Sequence, residues 1–241
     1  MNNETIYIYE DVQKLAEDFT SFLRRELKKR RELNLSLSGG STPKALFNYW
    51  ADNCKTGINW QKVRFYWGDE RCVVPDDPMS NYGMTRDLLF SKVSAIDKNN
   101  IFRIHGENEA EDEAKRYSEI LDENLPKKNN FPVFDIMMLG LGDDGHTVSI
   151  FPDHINFWDS HSNCIVARHP ESKMYRISLS GKVVNNAENI VFLVTGKNKA
   201  EIVRNIIQQR AEYKEIYPAA RVIPNYGNLY WFLDKEAASL L

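Results

Sequence analysis

At 241 residues, with 42% hydrophobic, 27% charged and 12% aromatic side chains, the chain can bury a large core and is neither disordered nor fibrous. A net charge of −3 argues against generic nucleic-acid affinity, which needs a basic excess, yet leaves room for a local pocket for small anions. Cys54, Cys72 and Cys164 are odd in number and far apart, without metal-ligand spacing, which fits a reducing compartment. The N-terminal stretch MNNETIYIYEDVQKL lacks a secretory pattern, and no run approaches the roughly 18 apolar residues of a membrane span. A cytoplasmic protein with no nucleic-acid or membrane partner is expected. Cys72 adjoins Arg71, a neighbour able to lower a thiol pKa, but no motif supports a thiol nucleophile.

In chain order, the spacing of Val12, Leu15, Ala16, Phe19, Phe22, Leu23 and Leu27 predicts an amphipathic helix between Asp11 and Arg31. Its basic end, RRELKKRRE, reads as exposed surface and a last turn that complements the macrodipole, in preference to a nucleic-acid patch. The short run NLSL reads as a strand, and GGSTPKALFNYW as a glycine turn entering a helix with Pro43 in its first turn. VRFYW follows as a strand, SNYGMTRDLLF and EDEAKRYSEIL as helices, and LPKKNN as a surface loop. FDIMMLGL, RISLS, NIVFLVTG and LYWFLD read as further strands, with a helix in KNKAEIVRNIIQQ. Strands separated by helices imply βαβ units. The expected fold is α/β: a single doubly wound, mainly parallel, Rossmann-like sheet with helices on both faces, forming one domain over 1–241. FDIMMLGL and NIVFLVTG, nearly continuous apolar runs, are its expected central strands.

Ligands of such sheets bind beyond the carboxyl ends of the strands. Four strand ends here carry unusual residues together: GGSTP, GDER, LGDDGHT and GKNK. In GGSTP, Gly39 and Gly40 permit close backbone approach, while Ser41 and Thr42 offer hydroxyls and amides at a helix N-terminus, a place that suits a phosphate. A tight turn with a Ser or Thr cap explains the same residues equally well. Arg176 and the lysines of GKNK, Lys197 and Lys199, can supply the positive charge a dianionic phosphate needs, against the plainer reading of surface lysines as simply solvated. For Glu70 an internal carboxylate and arginine pair that fixes its loop is preferred, with Arg71 free to face an anion. SNYG reads as a cap and turn, with Asn81 either a ligand contact or structural, the structural role preferred.

In LGDDGHT, Asp144 lies two residues before His146. A carboxylate can hold one imidazole nitrogen and leave the other to take a proton from water. Metal binding by Asp143, Asp144 and His146 competes with that reading, but the set lacks a second cluster and a familiar ligand spacing.

The motifs GGSTPKALF, WGDERCVVPDDPMSNYG, LGLGDDGHTVSIFP, MYRISLS, GKNKAEIV and VIPNYGNLYWFLDKEAA, in this order from about Leu33 to Ala238, resemble the 6-phosphogluconolactonase family. The resemblance implies a single α/β domain shared with glucosamine-6-phosphate deaminase. It implies hydrolysis of 6-phospho-D-glucono-1,5-lactone in the oxidative pentose phosphate pathway, without metal or organic cofactor. It implies His146 as general base, Asp144 as its companion, and phosphate contacts from Gly39, Gly40, Ser41, Thr42, Arg71, Arg176 and Lys199. By analogy a monomer is expected. Oxyanion stabilisation falls to backbone amides of the glycine turns or to a cationic side chain.

The nearest rival is deamination of glucosamine 6-phosphate. The related deaminases place a glutamate where this chain has Phe151, and usually read DEY where this chain reads DER, so both departures favour the lactonase. A non-catalytic phosphosugar sensor is the third reading. The Asp144 and His146 pair argues for chemistry instead.

Overall fold

The computed structural model describes residues 3–241; Met1 and Asn2 of the N-terminal stretch lie outside it. Strand β1 (Asn3–Tyr9) precedes α1 (Val12–Lys28), which starts where the Asp11 side chain accepts the Lys14 amide at 2.8 Å. The predicted apolar stripe of α1 is buried from Leu15 to Leu27, with Val12 only partly covered and Phe19 and Phe22 packed against Phe232. Next come β2 (Leu33–Leu37), α2 (Ser41–Asn53), β3 (Val63–Trp67) and the short β4 (Asp69–Arg71). Helix α3 (Asn81–Thr85) runs into a π-helical turn at Arg86–Phe90, and α4 (Ala110–Asn124) leads to β5 (Lys127–Lys128), β6 (Phe131–Pro132) and β7 (Ile136–Leu139). The chain ends through β8 (Cys164–Arg168), β9 (Tyr175–Leu179), α5 (Gly181–Val184), β10 (Asn189–Val194), α6 (Ala200–Gln208), α7 (Arg210–Tyr213) and β11 (Asn228–Asp234).

Six strands form one wholly parallel sheet in the order β1-β11-β10-β7-β2-β3. Every residue of β2, β7 and β10 is buried, as a parallel sheet covered on both faces requires. From β2 the chain moves outward to β3, then returns to the other flank of β2 as β7 and continues to β10. The strand order therefore reverses between β2 and β7, and a crevice opens at their carboxyl ends.

RISLS does not join this sheet. It forms β9, the centre of a separate antiparallel sheet β4-β9-β8. Gly68 links the two sheets: its N–H donates to the Leu37 carbonyl and its carbonyl accepts the Leu179 N–H, both at 2.9 Å. Two other readings change. LPKKNN is part of a tight hairpin, β5-β6, turned by Asn129 (φ 54°) and Asn130 (φ 66°), the paired positive φ values of a type I′ turn. The basic end of α1 is not all exposed surface. Arg30 turns inward and binds Glu26 (2.6 Å), Asp135 (2.7 Å) and Glu188 (2.5 Å), tying α1 to the segments entering β7 and β10. Three carboxylates around one guanidinium give it a better environment than water alone.

Candidate active site

A cleft of about 200 Å³ lies at the strand-order reversal. Gly39, Gly40, Ser41 and Thr42 from the turn after β2, Arg71 from β4, His146 from the loop after β7, Arg176 from β9 and Lys199 before α6 all line it. Of the predicted site residues, only Asp144 stands outside the cleft, behind His146.

The turn after β2 is shaped by two different demands on glycine. Gly40 has φ 106°, a left-handed conformation that disfavours any other residue. Gly39 is needed for space, because a Cβ there would fall 1.9 Å from Asn81 Oδ1. Neither Ser41 nor Thr42 caps α2: the cap position is Gly40, with no side-chain hydrogen bond. The Thr42 hydroxyl instead meets the Thr195 hydroxyl at 2.8 Å. The first turn of α2 thus presents its amides and positive dipole end to the cleft without a side-chain oxygen in place.

Arg71 and Arg176 are directly opposite each other in the β4-β9 ladder. Like charges in that relation repel. Arg71 donates to the Met79 carbonyl at 2.5 Å, and Arg176 lies 3.8 Å from the buried Asp69 carboxylate, yet the Nε of each arginine is buried without a partner. Burial, and the Arg71 charge against the pull of Asp69, hold the Arg176 guanidinium below its ordinary value. An anion in the cleft would relieve both the repulsion and the missing hydrogen bonds. The internal pair expected in GDER is therefore Asp69 with Arg176. Glu70 fixes its loop differently, accepting the backbone N–H groups of Arg71 (2.8 Å), Asn81 (2.8 Å) and Tyr82 (2.7 Å). Asn81 is structural, donating to the Asp69 carbonyl at 2.9 Å, and it also lines the cleft.

Lys199 is held by Asp143 at 2.5 Å, and Asn198 donates to the same carboxylate oxygen at 2.8 Å. Asp144 turns the other way, to His146: Oδ1 lies 2.6 Å from the imidazole Nδ1 and accepts the His146 backbone N–H at 3.0 Å. Burial opposes ionisation of Asp144, but the hydrogen bonds and charge of His146 outweigh it and hold the carboxyl below its ordinary value. Asp143, Asp144 and His146 thus do not converge on a common point, and among the described residues no group of three or more His, Cys, Asp or Glu side chains is arranged to hold a metal. Gly142 makes room for the pair, since a Cβ there would lie 2.1 Å from His146 Nδ1. Val148, two residues after His146, is held at φ 48°, a strained conformation for a β-branched residue. Cys72 is not activated by Arg71: burial, with the Glu70 and Glu113 charges, pushes its thiol up to about 11.

Residues 10–231 match the family described as glucosamine-6-phosphate isomerases/6-phosphogluconolactonase. The chain belongs to this family. A 6-phosphogluconolactonase of Haemophilus influenzae is 43% identical over 231 residues, covering 95% of each chain. A solved 6-phosphogluconolactonase from Trypanosoma brucei, 29% identical, superposes over 100% of both chains with a TM-score of 0.88. A solved monomeric glucosamine-6-phosphate deaminase shares the fold, with a TM-score of 0.81 at 21% identity over 98% of this chain and 100% of that one. No helix among the described residues is long and apolar enough to cross a membrane.

Sequence reasoning did not single out Ser38 or Thr195, and gave Asp69 of GDER no role of its own, yet all three line the cleft. Each is an ordinary polar residue at a strand end, and only the sheet order brings them together.

Proposed function

We propose that this chain hydrolyses 6-phospho-D-glucono-1,5-lactone to 6-phospho-D-gluconate, a step of the oxidative pentose phosphate pathway. The carrying observation is one imidazole, His146, bound through Nδ1 to Asp144 and lining a cleft whose other walls hold Arg71, Arg176, Lys199 and the uncapped start of α2. The substrate phosphate binds the Gly39, Gly40, Ser41 and Thr42 turn and the three cations, which brings the lactone carbonyl beside His146. The imidazole Nε2 takes a proton from water as the water oxygen attacks C1. Collapse of the tetrahedral intermediate breaks the bond from C1 to the ring oxygen, which leaves as a hydroxyl with the proton returned by the imidazolium. The distant phosphate contributes positioning. No acyl-enzyme is needed, because Ser41 opens a helix and is not in a GxSxG elbow. On this reading residues 1–241 act as one lactonase domain, a cytoplasmic monomer.

Phe151 favours hydrolysis over deamination, since the side chain packed on His146 is a fully buried phenyl ring and not a carboxylate. The deciding experiment follows freshly made lactone with and without protein, corrected for spontaneous hydrolysis, beside His146→Ala and an ammonia assay with glucosamine 6-phosphate. Accelerated lactone loss that falls about 100-fold or more in the variant, with phosphate affinity retained, supports the reading. Equal turnover in both proteins removes His146 from its role, and ammonia release without lactone hydrolysis overturns the reading itself.

A further inference from the structure

A second cleft, of about 480 Å³, also reaches His146 and is lined by Asp143, Asp144, Asp153, His169 and Glu171. The cation-lined and acid-lined clefts share the His146 imidazole. A ligand with a phosphate at one end and hydroxyls at the other is oriented by this contrast. Its dianion is repelled from the carboxylates and drawn to Arg71, Arg176 and Lys199, while its hydroxyls can exchange hydrogen bonds with the acid-lined side.

His169 is the group in this second cleft with a fixed donor. Its Nδ1 accepts the backbone N–H groups of Glu171 at 3.2 Å and Ser172 at 3.3 Å, which places the ring proton on Nε2. Burial, followed by the charges of Arg176 and His146, lowers its pKa and so favours the neutral ring. Nε2 has no partner among the described residues. The ring stands edge-on to Phe151 with centroids 5.1 Å apart, and Phe151 also packs on the His146 ring at 4.7 Å. The buried phenyl ring thus packs on both imidazoles and restrains the position of each.

We propose that His169 is a specificity-determining residue whose Nε2–H donates a hydrogen bond to a hydroxyl oxygen of the sugar lactone while the phosphate occupies the neighbouring cleft. The proposal rests on the lactonase reading above and deepens it. In sequence, His169 is an ordinary residue of a polar turn, and its relation to His146 arises only because the β8-β9 hairpin folds back beside the loop after β7.

His169→Asn separates the donor from the turn. The carboxamide oxygen of asparagine accepts amides two and three residues ahead, as Nδ1 does here, but the shorter side chain has no donor at the place of Nε2. Lactone hydrolysis and competitive inhibition by inorganic phosphate are measured on both proteins. The expected result is a KM for the lactone raised about tenfold, the loss of one hydrogen bond, with the inhibition constant for phosphate unchanged. An unchanged KM overturns the proposal and leaves the lactonase reading standing. A parallel rise of both constants also overturns it, because the substitution then acts through the phosphate cleft. If wild-type protein does not hydrolyse the lactone, the lactonase reading fails and the proposal with it.

Discussion

With Nδ1 bound to the Asp144 carboxylate, the proton of neutral His146 sits on Nδ1 and the lone pair on Nε2, the state a general base requires. In Asp144→Asn the carboxamide can donate to Nδ1 and reverse that tautomer. The expected result is a kcat lowered about 100-fold or more at a nearly unchanged KM, read by steady-state lactone hydrolysis. A wild-type kcat would remove the orienting role from Asp144. Lys199 works differently. Its ammonium stands at the start of α6, where the helix dipole is unfavourable, and the exposed Asp143 compensates only weakly in water. A bound phosphate is the stronger partner, so Lys199→Ala is expected to raise KM and the phosphate inhibition constant about tenfold with kcat near wild type. Unchanged KM and unchanged phosphate inhibition would exclude the contact. The Asp144 and His146 pair was legible in the sequence because two residues in one loop decide it. The opposition of Arg71 and Arg176 was not, because it depends on the register between strands a hundred residues apart in the chain.

Periodicity disclosed most of the elements that position the site. The stripe of α1 and the apolar runs of β7 and β10 follow from which faces must be buried, and the structure places both strands at the sheet centre. What escaped is short or depends on partners. β4 has three residues and owes its existence to β9, while the β5-β6 hairpin rests on two asparagines that tolerate positive φ. Arg30 is the sharpest case: a basic run at a helix end reads as solvated, and only the return of β7 and the segment before β10 brings Asp135 and Glu188 to it. Arg30→Ala leaves the half-buried Asp135 without its cation and the buried Glu26 with Lys29 alone. A loss of about 3 kcal/mol is expected, read as a lowered urea midpoint at constant m-value. The network lies at the opposite end of the strands from the cleft, so kcat should stay at wild type. A stability loss below about 1 kcal/mol would mean the cluster behaves as a surface pair.

Across the whole molecule, carboxylates couple stability to acid. Arg103 bonds hold Glu107 at about 2, against an ordinary 4.5. Burial works against ionisation of Glu26 and Glu113. Hydrogen bonds from Lys29 and Arg30 to the first, and from Arg116 and the His105 amide to the second, nevertheless bring both below their ordinary values. Asp144 is depressed in the same sense by His146. A carboxyl depressed on folding binds more protons in the unfolded chain, so its contribution is complete above the ordinary value and disappears as the pH falls through the folded one. Glu70 and Asp135 act oppositely: burial raises them, and the stability they add at low pH is lost as the pH rises through their folded values. Glu107, the carboxyl displaced furthest, sets the direction: its contribution is lost from about pH 4.5 down to about pH 2, and Glu26, Glu113 and Asp144 act in the same sense. Urea midpoints measured across this window should fall with pH. Glu113→Gln should be less stable at neutral pH and show a shallower fall, because its carboxyl, fully buried against Arg116, no longer takes up a proton on unfolding. An equal slope in the variant would mean that Glu113 keeps the same proton affinity in both states, and that Arg116 and the His105 amide only offset its burial.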